Sequence, residues 1–259
     1  MVFLEKFLLP DENRRAYPYR ILYSKMLNVV SFAPITIFYG SNGSGKSTLL
    51  NVIAEKINIQ HKTLGNNSPH FDDFVEKCAF EMTINKNSRF IKSEDVMEAI
   101  ANLRRETKVV ISEIKSLQNA TDIDEEDGTE YKLMGEKEIR PAMEKYNHLS
   151  EQYSNGETAM LFFENIFEPD TLYLLDEPEN SLSPRLQLAL KTLIEKWSYL
   201  YGCQFIIATH SPFLLSAEHA TVYNLDATPA TIERWHKLEN VRYYYDFFKK
   251  NKDLFEGIK

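Results

Sequence analysis

Residues 34–53 decide the fold and read PITIFYGSNGSGKSTLLNVI. The β-branched and aromatic residues at 34–39 predict a strand. A glycine-rich turn follows at 40–45, and the helix predicted after it rests on the apolar spacing of Leu49, Leu50, Ile53 and Ile57. A strand, a glycine turn and a helix in this order form the setting that a phosphate-binding loop requires.

The turn matches the pattern GxxxxGKS/T at every fixed position, from Gly40 to Ser47. In such a loop, backbone N–H groups turn inward around a phosphate at the positive end of a helix. Lys46 supplies a charge to the β- and γ-phosphates, and Ser47 offers a hydroxyl to Mg²⁺. The alternative is a Gly/Ser-rich turn that binds nothing. The predicted nucleotide-binding residues are Ser41, Asn42, Gly43, Ser44, Gly45, Lys46, Ser47 and Thr48.

Composition narrows the protein class. The 259 residues include 38 acidic and 30 basic ones, so the formal net charge is −8. This argues against tight non-specific nucleic-acid binding but leaves a local basic patch open. Cys78 and Cys203 form no CxxC pair, which excludes a disulfide framework or a cysteine zinc site and predicts a reduced, cytoplasmic compartment. No run reaches the roughly 18 apolar residues of a membrane span, and we expect no signal peptide.

The middle of the chain follows a helical pattern. Apolar residues repeat at heptad spacing from Val96 to Leu117, and helical spacing resumes from Ile139 to Leu149 after an acidic stretch. We predict an inserted helical hairpin at 93–150. One α/β lobe at 1–92 would carry the phosphate loop, and a second lobe would span 151–259.

The second half of the chain alternates between β and α patterns. Continuous apolar runs at 171–175 and 205–208 predict central strands of a parallel sheet. Ser183–Pro184 predicts the start of a helix between them. A further strand is predicted at 221–225 and a closing helix at 238–256. The fold class is therefore α/β, with a mostly parallel sheet flanked by helices.

Two consecutive carboxylates, Asp176 and Glu177, end the first of these apolar runs. Asp176 at the strand end can hold Mg²⁺, directly or through water, and Glu177 can polarise an attacking water. The plainer interpretation is an acidic pair that caps a strand in solvent. The phosphate loop in the same chain favours the catalytic interpretation.

At this point the chain resembles the ATP-binding-cassette (ABC) ATPases. Residues 153–157 (YSNGE) are similar to the family's LSGGQ signature and precede the acidic strand, as they do in the family. Ser154 and Glu157 also fit an S-x-x-E capping box, a common helix start. The two interpretations are compatible, because a capped helix start can stabilise a phosphate. The resemblance implies that Ser154 and Gly156 contact the nucleotide of a second subunit.

The resemblance extends to the order of the motifs. Residues 179–183 occupy the position of the D-loop, and His210 that of the switch histidine, which would contact the γ-phosphate. A lone histidine at a strand end is more often structural. The Q-loop glutamine has no counterpart, since the strand ending at 92 continues with Ser93 and Glu94. The adenine-stacking aromatic stays open among Tyr17, Tyr19 and Tyr23.

DEPENSLSP at 176–184 and THSPFLL at 209–215 are more similar to the soluble SMC, RecF and OLD-like branch and to small stand-alone bacterial AAA-family ATPases than to transporter subunits. The resemblance implies Mg²⁺-dependent ATP hydrolysis with Lys46, Glu177 and His210 as catalytic residues. It also implies an ATP-sandwiched homodimer that drives or gates a partner protein, with bacterial defence and DNA-related work as open settings. A non-hydrolysing nucleotide sensor and a transporter ATPase subunit stay open as alternatives.

Overall fold

The computed structural model describes residues 1–59, 61, 68–83, 87–102, 104–105, 109 and 154–257. The chain divides into two compact units. One comprises Met1–Ser93 with Ile166–Lys259, and the other comprises Glu94–Asn165. Residues 93–102 are helical, and the rest of the hairpin predicted at 93–150 lies, apart from residues 104, 105 and 109, outside the described residues.

A six-stranded sheet with the strand order β5-β6-β7-β3-β8-β9 forms the centre of the larger unit. Its first five strands run parallel and β9 pairs antiparallel to β8. This confirms the predicted α/β class. The strand bounds are β3 Ile35–Tyr39, β5 Ser88–Lys92, β6 Leu172–Asp176, β7 Gln204–Ala208, β8 Thr221–Asn224 and β9 Thr231–Ile232.

The three central strands are buried along their whole length, which is why each reads as a continuous apolar run. Ile207 lies opposite Ile37 on one side and Leu175 on the other. Asp176 at the end of β6 pairs with Lys92 and with Ala208. In parallel strands the carboxyl ends share one edge, so the turns after β3, β6 and β7 meet there.

The helices largely follow the predicted pattern. The predicted helix at 238–256 is wrong in one respect, because it divides into two at Asn251. The Asn251 side-chain amide donates to the Phe247 carbonyl at 2.8 Å, which occupies an acceptor of the last turn. The α-helices are Tyr19–Tyr23, Lys46–Lys56, Pro69–Lys77, Asn155–Ile166, Pro184–Leu200, Pro212–Leu215, Glu239–Lys250 and Lys252–Glu256, with a 3₁₀ turn at Trp235–Lys237.

A second, antiparallel sheet is absent from the sequence-based prediction. It has the order β2-β1-β4, with β1 Leu4–Leu8, β2 Val29–Ser31 and β4 Ala79–Met82. The buried Gln204 of β7 attaches it to the central sheet, since its Oε1 accepts from the amides of Phe3 at 2.8 Å and Leu4 at 2.9 Å. Its Nε2 donates to the Leu4 carbonyl at 2.9 Å.

The main core cluster joins the two sheets through the helix Lys46–Lys56. Phe7 and Val30 from the small sheet, Leu50 from the helix and Phe38 from the central sheet are all fully buried in it. The phosphate-loop helix is thus held by apolar contacts along its length. Among the helices of the described residues, none is long and apolar enough to cross a membrane.

Candidate nucleotide site

The turn after β3 has the backbone of a phosphate-binding loop. Gly43 has a φ of +80° and Gly45 a φ of +103°, conformations that side chains rarely adopt. A Cβ on Gly45 would lie 2.8 Å from Cγ2 of Ile21. Lys46, only 4% exposed, donates from Nζ to the carbonyls of Gly40 at 2.8 Å and Ser41 at 3.3 Å. These carbonyls are neutral partners that a phosphate oxygen could replace.

Two hard oxygen donors meet between the loop and β6. The Ser47 hydroxyl donates to Oδ1 of Asp176 at 2.9 Å. A hydroxyl and a carboxylate suit Mg²⁺, which takes few protein ligands and completes its shell with water and substrate phosphates. In the described part of the chain, no group of three or more His, Cys, Asp or Glu side chains is placed to hold a metal. The Ser44 hydroxyl oxygen is buried without a hydrogen-bond partner among the described residues, which fits an oxygen-rich ligand.

The turn after β6 directs Glu177 back toward the loop. Its φ of +48° is left-handed, and its amide donates to the Ala208 carbonyl at 2.9 Å. Oε1 of Glu177 lies 3.9 Å from Lys46 Nζ, while Oε2 accepts from the side-chain amide of Asn180 at 3.2 Å. The side chain is 27% exposed. A fixed carboxylate with access to water at this point can polarise a nucleophile.

His210 follows β7 and faces the same carboxylates. Its Nδ1 lies 3.8 Å from Glu177 Oε1 and 3.7 Å from Glu179 Oε1. The structure thus brings together Lys46, Ser47, Asp176, Glu177 and His210, which the sequence separates by more than 160 positions. The position where a Q-loop glutamine is expected, after Lys92, is the start of a helix.

Ser154 and Gly156 belong to the smaller unit, and their geometry is local. The Ser154 amide and hydroxyl donate to Glu157 Oε2 at 2.8 and 3.0 Å, and the Glu157 amide donates back to the Ser154 hydroxyl at 3.3 Å. This is the predicted capping box at the start of the helix Asn155–Ile166. The assignment of Ser154 and Gly156 to the nucleotide of a second subunit stays a prediction.

Three residues at the site were not singled out by the sequence. Asp226, just after β8, accepts from the Ser41 amide at 2.9 Å (Oδ1) and 2.8 Å (Oδ2) and from its hydroxyl at 2.8 Å. Asn240 donates from its side chain to the His210 carbonyl at 3.3 Å. Glu179 was placed only in the D-loop, yet it is 5% exposed, and burial raises the pKa of its carboxyl. For Asp226, the sequence signal that could have indicated a site residue is a carboxylate that directly follows a predicted strand.

The three tyrosines left open for the adenine differ in their surroundings. The Tyr17 hydroxyl donates to Thr48 Oγ1 at 3.4 Å, so this side chain reaches the phosphate loop. Tyr19 is fully buried and donates to Asp73 Oδ2 at 2.6 Å. Tyr23 is 37% exposed. Of the three, Tyr17 is thus the one with a described hydrogen bond to a residue of the loop 40–48.

Residues 76–216 match the family described as "AAA domain, putative AbiEii toxin, Type IV TA system", which is more than half of the 259 residues. The chain belongs to this AAA-domain family. The matched range contains Asp176, Glu177 and His210, while the phosphate loop precedes it. Its parallel sheet and its glycine-rich loop with two positive-φ glycines have the arrangement of a P-loop nucleotide-binding fold.

Solved structures add the following similarities for this AAA-domain protein. It aligns with the Smc head domain with an extended coiled coil bound to the C-terminal domain of ScpA, from Pyrococcus furiosus, at 12% identity and a TM-score of 0.47, over 97% of this chain and 100% of that one. It aligns with the ADP- and Pi-bound, dimeric ATP-binding cassette MJ0796 at 14% identity and a TM-score of 0.44, over 92% and 100%. No curated protein matches the sequence.

Proposed function

We propose that this protein binds ATP with Mg²⁺ at the loop 40–48 and hydrolyses it to ADP and phosphate. The observation that carries the proposal is the junction of the loop with the acidic turn. There the Ser47 hydroxyl lies 2.9 Å from Asp176 Oδ1, and the Lys46 ammonium 3.9 Å from Glu177 Oε1. A capping pair in solvent would not require either contact.

Each side chain has a separate task in this proposal. The loop amides and Lys46 hold the β- and γ-phosphates, with Lys46 exchanging its two carbonyl partners for phosphate oxygens. Ser47 and Asp176 would hold Mg²⁺, which neutralises phosphate charge when it is bound. Tyr17 would lie against the adenine.

Glu177 would polarise the attacking water, and Asn180 fixes its other oxygen so that Oε1 faces the phosphate loop. His210 would donate to the γ-phosphate. This arrangement of Glu177 and His210 favours turnover over the alternative of a sensor that binds ATP without hydrolysing it.

The nucleotide-binding site would be completed by a second copy of the chain in a head-to-tail dimer. The capped start of the helix at Asn155 presents backbone amides, and Ser154 is exposed. Such a helix start favours an anion, and the γ-phosphate of a second subunit would supply one. Since hydrolysis removes that phosphate, the dimer would loosen after turnover and could gate a partner protein. The hairpin predicted at 93–150 is the proposed docking element for the partner.

Glu177→Gln tests hydrolysis and dimerisation together. The amide keeps the shape of the side chain but cannot take up a proton, so we expect turnover to fall about 100-fold or more with ATP binding retained. Light scattering should show a dimer in saturating Mg-ATP and a monomer without nucleotide. Glu218→Gln, an exposed change away from the loop, serves as the control and should behave like the wild type.

A Glu177→Gln protein that stays monomeric with ATP bound would contradict the sandwich dimer. Unchanged turnover would contradict the role of Glu177. A protein that fails to bind ATP in its unaltered form would contradict the proposed function as a whole.

A further inference from the structure

Glu179 lies in a polar turn, yet its carboxyl is inside the protein. The residue is 5% exposed, although glutamates in turns are mostly solvent-facing. Its Oε1 accepts from the Thr209 hydroxyl at 2.6 Å and from the His210 amide at 3.1 Å. Thr209 Oγ1 in turn accepts from the Ser211 amide at 3.0 Å. One carboxylate oxygen thereby connects the turn after β6 to three consecutive residues after β7.

This burial is not explained by hydrogen bonding alone. Oε2 of Glu179 is buried and has no partner among the described residues. Burying a carboxyl oxygen without a partner is costly, and an apolar or smaller residue would avoid that cost. Glu179 is buried despite this cost, and it contacts the turn Thr209–Ser211, here called the switch turn, directly.

The geometry around His210 shows what the contact achieves. The imidazole Nδ1 lies 3.7 Å from Glu179 Oε1 and 3.8 Å from Glu177 Oε1, so this ring nitrogen faces both carboxylates. The His210 carbonyl is held separately by Asn240 at 3.3 Å. The backbone of His210 is thus held on both sides, at its amide by Glu179 and at its carbonyl by Asn240, and its ring lies within 4 Å of both carboxylates.

We infer that Glu179 is a positioning residue that holds His210 in place beside Glu177, and that it acts on turnover through His210 rather than on ATP binding. The inference rests on the proposed ATPase function. Glu179 touches neither the phosphate loop nor Asp176 in any of the bonds described above. The route that these bonds provide for its effect is the turn Thr209–Ser211.

A double-mutant cycle between Glu179 and His210 tests this inference. Glu179→Ala should lower kcat about 10- to 100-fold, because a small displacement of an aligned group is enough for that loss, with the affinity for ATP unchanged. Glu179→Gln should retain most of the activity, since its amide oxygen accepts the same two hydrogen bonds. In a His210→Ala background, adding Glu179→Ala should change kcat less than 2-fold. Glu218→Ala is the surface control.

Thr209→Val provides a second route if Glu179→Ala does not fold. It removes the hydroxyl that binds Glu179 while keeping the shape of the side chain, and its loss of kcat should likewise vanish in the His210→Ala background. Equal losses in both backgrounds, or wild-type kcat for Glu179→Ala and Thr209→Val, would overturn the inference.

The imidazole NMR signal of His210, identified by its loss in His210→Ala, gives a readout that needs no turnover. Glu179→Ala or Thr209→Val should shift or broaden this signal, and Glu179→Gln should leave it nearly unchanged. An unmoved signal in the first two variants would overturn the inference even if the protein hydrolysed no ATP. A moved signal in a protein without ATPase activity would instead refute the proposed function and leave the positioning contact in place.

Discussion

The site consists of two kinds of turn, and they are built differently. The turn after β3 takes its left-handed positions from Gly43 and Gly45. The turn after β6 contains no glycine, and its left-handed positions are Glu177 at +48° and Ser181 at +72°. It is stabilised by side chains, as in the bond from Asn180 to Glu177. Under the proposed function the first turn binds the nucleotide and the second carries out the chemistry, so substitutions in them should separate affinity from turnover.

Lys46→Ala should have the largest effect of any change in the loop. It removes a buried ammonium that the loop carbonyls hold in position, and we expect ATP affinity to fall at least about 100-fold because a charge-assisted contact is lost. Calorimetric titration with Mg-ATP measures this. Lys56→Ala at the end of the same helix is the matched control and should bind normally. Tight ATP binding by Lys46→Ala would contradict the assignment of ATP affinity to the turn after β3.

Gly45→Ala should have the next largest effect, since the loop backbone at this position has a conformation that residues with a Cβ rarely adopt. A φ of +103° and the 2.8 Å approach to Ile21 Cγ2 mean that the new methyl group brings both strain and a clash. We expect a loss of about 1–3 kcal/mol in the free energy of unfolding, and weaker ATP binding. Urea denaturation measures the first quantity.

Gly257→Ala separates strain from clash in that experiment. Gly257 also has a positive φ, +66°, but a Cβ there would meet nothing within 4 Å. It should cost less stability than Gly45→Ala. Equal losses at the two sites would show that the contact with Ile21 is relieved without cost.

Asp226→Ala should have the smallest effect and sharpen the comparison. Asp226 holds the amide and hydroxyl of Ser41 from outside the loop, so its loss should loosen a loop that Lys46 and the glycines still define. We expect ATP affinity to fall about 3- to 10-fold, the range of one lost hydrogen-bonding group, with kcat at saturating ATP unchanged. Asp253→Ala, in the last helix, is the control. A fall in kcat with unchanged ATP affinity would instead show that Asp226 acts on turnover, as proposed for Glu177.

Much of the larger unit could be predicted because its signals are local. The strands β3, β6 and β7 are buried on both faces and read as unbroken apolar runs, and the phosphate loop has fixed spacing. The carboxyl ends of parallel strands share an edge, which brings Glu177 and His210 to the loop once the sheet is known.

What escaped prediction depends on long-range pairing. The strands β1, β2 and β4 are short and pair although they are far apart in the sequence. No local sequence pattern indicates that Gln204 joins the two sheets. Asp226 and Ser41 are 185 positions apart. The burial of Glu179 contradicts its polar neighbourhood in sequence. Asn251 ends a helix through a side-chain bond that periodicity does not reveal.

The short 3₁₀ turn before the helix Glu239–Lys250 has an optical consequence. The protein has two tryptophans. Trp197 packs against Phe167 and Tyr201, with ring centroids 6.0 and 4.4 Å away. Trp235 is 38% exposed. It lies just upstream of Asn240, whose side chain donates to the His210 carbonyl. Iodide or acrylamide should therefore quench Trp235 preferentially. The intrinsic fluorescence thus contains an accessible component from Trp235, five positions before the asparagine whose side chain bonds the His210 carbonyl.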